Sequence, residues 1–228
     1  MRALLVVSSL LVFCVISFSE YNGGTFLALV GKDSVVLTAD SRFSSKLTGS
    51  SSMLSHFPRR IFRVGTRTLV GCYGIDGDTD ILMRQLRKRL ANLSAVQVGP
   101  QVVARVISDT LYNSGIYCMP IVAGIDLSEE DEKEQYPHGK PYVCYMDRLG
   151  AMTVSSSFAI VGTGVDGLTA LCEKVYMPQQ SAEDLVAMAS KCLQLALQRD
   201  VLSGGEIRIL SLLANGDIYE TKAVTHDV

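Results

Sequence analysis

The sequence of 228 residues predicts an α+β fold, with stacked antiparallel sheets and pairs of helices covering their outer faces. Three observations carry this. The elements run in the order strands, two helices, strands, two helices, strands. The helices come in pairs and not singly between strands, which disfavours a doubly wound parallel sheet. Short turn signals at Gly31-Lys32-Asp33, Gly65-Thr66 and Asn215-Gly216 join neighbouring strands in the manner of hairpins.

Each element has its own signal. "TFLALVG" and "SVVLTAD" are β-rich runs from Thr25 to Asp40, and "RIFRVG" and "RTLVGCYG" form a second pair. The stretch between the pairs, "RFSSKLTGSSSMLSHFPR", is polar and serine-rich and reads as a loop with weak strand character. From Asp78 to about Ser94 the apolar residues Leu82, Leu86, Leu90 and Leu93 repeat at helical spacing, with Arg84, Arg87, Lys88 and Arg89 on the polar face. After Gly99-Pro100, Val102 to Tyr112 shows the same period. Strands return as "IYCMPIVAGID", "PYVCYMD", "MTVSS" and "FAIVG", the first two flanking the charged, solvated loop "SEEDEKEQYPHGK". Helices follow over Gly167–Tyr176 and Ala182–Arg199, separated by Pro178, with Ser181 and Asp184 as a capping box. "EIRILSLL" and "IYETKAV" close the pattern.

Composition narrows the function classes. A hydrophobic fraction of 48% and a charged fraction of 19% describe a globular chain, and a net charge of −2 brings no basic excess for nucleic acid. Cys14, Cys72, Cys118, Cys144, Cys172 and Cys192 form no C-x-x-C pair, and His56, His138 and His226 add no metal-ligand spacing, so no structural zinc is expected. Cysteines inside apolar runs act as small core residues and fit a reducing compartment. Residues 1–19 are an apolar extension that reads as a secretion signal, a propeptide or a mistaken gene start; residues 20–228 read as a single domain.

One glycine pattern competes for attention. Gly162, Gly164 and Gly167 have G-x-G-x-x-G spacing between a strand and a helix, the entry to a dinucleotide site. The acidic residues about 20 positions on, Glu183 and Asp184, open a helix and do not end a strand, so the fingerprint fails. The plainer reading is glycines that let a helix pack tightly on a sheet.

"YNGGTFLAL", "LTADSR", "VGCYGIDGDTD" and "RDVLSGGEIRIL" occur in an order that resembles the proteasome β subunits, and "SEYNGG" most resembles their β3 type. The resemblance runs from about Glu20 to the C-terminus. It implies the N-terminal-nucleophile (Ntn) hydrolase fold, a four-layer αββα sandwich. Active members cut before a threonine whose hydroxyl then attacks a peptide carbonyl, aided by an aspartate, a lysine and an oxyanion glycine. By resemblance Asp40 matches the aspartate, Gly74 the oxyanion glycine, Asp200 and Ser203 the pair behind the nucleophile, and Gly162-Thr163-Gly164 a supporting turn.

Two positions depart. Counting back from Asp40 by the spacing that the resemblance implies, the nucleophile position falls on Gly24, which has no side chain, and Thr25 faces the other way. The lysine position matches Arg60, a bulkier planar group that does not replace lysine beside a nucleophile. The expectation is therefore a non-catalytic subunit in which these residues form a degenerate site. The resemblance further implies an α7β7β7α7 assembly with β2 and β4 as neighbours and an outer α ring, peptide substrates passing through the chamber, no metal or organic cofactor, and a setting in cytoplasm and nucleus. Tyr117, Cys118 and Met119 are the expected wall of a neighbour's substrate pocket. Two alternatives stand beside it: an active hydrolase using Thr25 after cleavage at Gly24, and a nucleotide-binding domain.

Overall fold

The computed structural model describes residues 24–45, 52–56, 60–94, 97–127, 137–200 and 202–224. Among them run β1 (Thr25–Val30), β2 (Ser34–Asp40), β3 (Arg42–Ser45), β4 (Ser52–His56), β5 (Ile61–Val64) and β6 (Thr68–Gly74). Two helices follow, α1 (Asp76–Leu90) and α2 (Pro100–Ser114), then β7 (Cys118–Asp126), β8 (Lys140–Met146), β9 (Met152–Ser155) and β10 (Phe158–Gly162). The chain continues through α3 (Val165–Val175), α4 (Ala182–Leu197), β11 (Glu206–Leu213) and β12 (Ile218–Val224). One five-stranded sheet has the order β10-β1-β2-β11-β12 and the other β5-β6-β7-β8-β9. Every pairing in both is antiparallel.

Three cores set the layers. Phe26, Ala28, Leu37, Leu69, Ile121 and Val143 pack between the two sheets. Leu82, Leu86, Ile107 and Leu111 press α1 and α2 onto Val70, Val122 and Cys144 of the second sheet. Leu168, Leu185, Ala189 and Leu193 press α3 and α4 onto Leu27, Leu29, Val36 and Ile209 of the first. The result is the four-layer αββα sandwich of an Ntn-hydrolase-type fold. β1 and β2 are almost continuously apolar because helices cover one face and a sheet the other.

Some local expectations change. α1 starts at Asp76 and ends at Leu90, so Leu93 lies past the helix and is 38% exposed instead of joining Leu82, Leu86 and Leu90. α2 begins directly at Pro100, whose missing N–H costs nothing at a helix start. The serine-rich loop holds a short ribbon, β3 with β4, whose register shifts between Phe43 and Ser44. Ser181 caps α4 by accepting from the Asp184 N–H at 3.2 Å. The Asp184 carboxylate accepts from the Ser181 hydroxyl at 2.7 Å, so the acid binds the serine side chain directly. The acidic segment lies outside the described residues up to Tyr136, as do residues 1–19 and Cys14. Cys72, Cys118, Cys144, Cys172 and Cys192 are unbridged and buried.

Candidate functional site

Alternation along β1 decides which side chain faces where. Phe26 and Ala28 point between the sheets, and Leu27 and Leu29 point toward α3 and α4. Extended backward, residue 24 faces the gap between the sheets and Thr25 faces the helix layer. The contacts agree. A Cβ at Gly24 would overlap Arg60 Nη1 and come within 2.8 Å of Arg60 Cζ and 2.9 Å of Asp40 Oδ1. Arg60 stands just before β5 of the opposite sheet, so its guanidinium reaches across to the head of β1.

Asp40, the last residue of β2, is the hub. Its Oδ1 accepts from the Thr25 N–H at 2.9 Å and from Arg60 Nη1 at 3.2 Å. Its Oδ2 accepts from the Gly204 N–H at 2.7 Å. The carboxylate is fully buried and the Arg60 side chain 10% exposed. Burial pushes the Asp40 pKa up to about 6, although Arg60 and the two backbone N–H groups pull it down. Burial likewise lowers the Arg60 pKa, opposed chiefly by Asp40. For both partners desolvation outweighs pairing, so the pair is held in place by the fold around it.

Thr25 belongs to a different network on the other face of β1. Its hydroxyl accepts from the Gly164 N–H at 3.0 Å and shares a 2.9 Å hydrogen bond with Ser203. Ser203 shares a 2.7 Å bond with Thr163, and Thr163 donates to Asp200. Asp200 also accepts from the Leu202 N–H at 2.9 Å. Each hydroxyl has one proton. Since Thr163 gives its proton to Asp200, Ser203 must donate to Thr163 and Thr25 to Ser203. The Thr25 hydroxyl is therefore fully committed, and the residue is completely buried. This arrangement does not favour Thr25 as a nucleophile.

The glycine pattern finds its physical reason here. Gly162 pairs with Thr25 in the β1–β10 ladder and has φ +124°. A Cβ at Gly162 would overlap the Gly24 carbonyl oxygen and lie 2.8 Å from Thr25 Cα; one at Gly164 would lie 2.9 Å from Thr25 Oγ1. Both glycines make room for the head of β1. Gly167 has nothing within 4 Å of its missing Cβ, so it packs no helix on a sheet, contrary to the plainer reading.

Gly74 ends β6 opposite Cys118, beside the turn where the Ile75 N–H donates to the Tyr117 carbonyl at 3.3 Å. The expected wall divides at this point. Cys118 is 1% exposed and sits in the core under α1 and α2, so it presents no surface. Tyr117 and Met119 are half-buried, and the Tyr117 ring lies 5.6 Å below the Arg148 guanidinium. Arg42 escaped the sequence reading: it donates to the Ser203 carbonyl at 3.4 Å and packs on Gly204. Thr163, read only as part of a turn, is the link between Asp200 and Ser203. No spacing rule marks either residue, because their partners come from remote loops.

Residues 20–212 match the family model described as "Proteasome subunit". Proteasome subunit beta type-3 of Picea mariana is 30% identical over 203 residues, covering 86% of this chain and 93% of that protein. Proteasome subunit beta type-3 of Oryza sativa subsp. japonica is 31% identical over 194 residues, covering 82% and 88%. Proteasome subunit beta type-3-A of Arabidopsis thaliana is 32% identical with the same coverage. With an αββα sandwich, an aspartate hub at the head of β1 and relatives aligned over most of its length, the chain belongs to the proteasome subunit family.

Proposed function

We propose that the chain is a non-catalytic β3-type subunit of the 20S proteasome core. It contributes to assembly of the β ring and helps to shape a neighbour's substrate site in intracellular protein degradation. One observation carries this: the position facing the gap between the sheets at the head of β1 is Gly24, which offers no hydroxyl or thiol to attack a carbonyl. In this reading the neighbours are β2 and β4 in an α7β7β7α7 particle. Tyr117 and Met119 contribute the wall, with Cys118 behind it. The setting is cytoplasm and nucleus, and a tagged full-length chain retained in the secretory pathway would count against that placement.

The test is intact mass of this subunit from assembled particles, together with labelling by a threonine-directed covalent inhibitor. The expected chain starts upstream of Gly23 and takes no label. A labelled chain starting at Thr25 would overturn the reading.

A further inference from the structure

We propose that Arg60 is a plug: its guanidinium fills the volume that any side chain at residue 24 would need, and its pairing with Asp40 holds the site closed. The inference rests on the reading of Gly24 as the nucleophile position and goes beyond it. Lack of a nucleophile would leave an open cleft. In this chain the cleft is occupied from within.

The geometry is specific. A Cβ at Gly24 would overlap Arg60 Nη1, with Arg60 Cζ at 2.8 Å and Asp40 Oδ1 at 2.9 Å. The guanidinium is not a loose surface group that could simply swing aside. Its side chain is 10% exposed, and Nη1 is held at 3.2 Å from a carboxylate that is itself fully buried. Displacing it would leave Asp40 charged, buried and short of one of its three donors. A lysine would keep the charge as a compact ammonium, whereas the planar guanidinium also takes up width beside its carboxylate partner. Gly24 and Arg60 are therefore a matched pair: where the guanidinium stands, no side chain fits at residue 24. Gly24 also has φ +107°, so a side chain there carries backbone strain apart from the overlap. The two contributions must be separated by experiment.

A double-mutant cycle does so. Epitope-tagged full-length G24A, R60K and G24A/R60K chains compete with the untagged wild-type chain for incorporation into assembled particles. Backbone strain is common to both backgrounds, and only the overlap with the guanidinium depends on Arg60. The expected result is that R60K alone incorporates within about twofold of wild type, and that G24A lowers incorporation about fivefold more with the native Arg60 than in the R60K background. An equal loss in both backgrounds would overturn the plug, since strain alone would then explain it. The inhibitor label reports separately on the parent reading: a labelled wild-type chain sinks that reading whatever the cycle shows.

Discussion

Two neighbouring residues at the head of β1 have opposite fates because a strand turns successive side chains to opposite faces. Thr25 carries the hydroxyl but spends its proton on Ser203, inside the molecule. T25V leaves the Gly164 N–H without its acceptor and breaks the chain of hydroxyls, at a cost of roughly 1–3 kcal/mol. T25S keeps the hydroxyl and should lose less than half as much, read from thermal melting of the full-length chains. Asp40 gives a pH signature. Its pKa is raised from 3.8 to about 6, so the folded state holds this proton more tightly than the unfolded chain does. That contribution to stability is fully present below about pH 4 and is lost as pH rises through about 6; it amounts to on the order of 2–3 kcal/mol. Asparagine cannot ionise. D40N should therefore gain stability relative to wild type between about pH 4 and pH 6, with no further change above. A difference in melting temperature that stays flat from pH 4 to pH 7 would contradict the assignment.

The decisive contact between elements is that of β1 with β10. Their ladder begins where Thr25 faces Gly162, and the Thr163 N–H then donates to the Gly24 carbonyl at 3.2 Å. G162A would combine a disfavoured positive φ with a methyl group driven into that carbonyl. The expected loss is about 3 kcal/mol or more. Amide hydrogen exchange should rise first in β1 and β10, with the β6–β7 ladder protected for longest. Uniform loss of protection across both sheets would argue against this local origin. At this scale the sequence was readable. Hairpin turns, strand runs and helix pairs all fell in the expected order, because local periodicity and turn chemistry specify them. Helix α1 was misplaced by two residues at its start and four at its end. Its N-cap residue is Ile75, which makes no side-chain cap, so only the acidic first turn of Asp76 and Asp78 marked the start and left its exact position open.

The whole molecule is held by a core between two sheets that meet face to face. Phe26 is completely buried there, and a Cβ at Gly71 of the opposite sheet would come within 2.7 Å of its ring. F26A should cost roughly 3–5 kcal/mol and sharply reduce incorporation into particles; full incorporation would show that the sheets do not depend on this interlock. By itself the sequence determined the element order, the layered fold and the absence of any side chain at residue 24; that residue 24 and not Thr25 is the position to ask about came from the resemblance. Only the tertiary structure decided that Arg60 fills the space beside Gly24, that Thr163 links Asp200 to Ser203, and that Cys118 turns into the core while Tyr117 and Met119 keep partial exposure. The reason is physical. Local patterns fix which way a strand alternates and where a chain turns, but the occupant of a buried volume is set by segments far apart in sequence that converge there. Nothing around Gly24 in the sequence foretells the guanidinium that arrives from Arg60 to stand beside it.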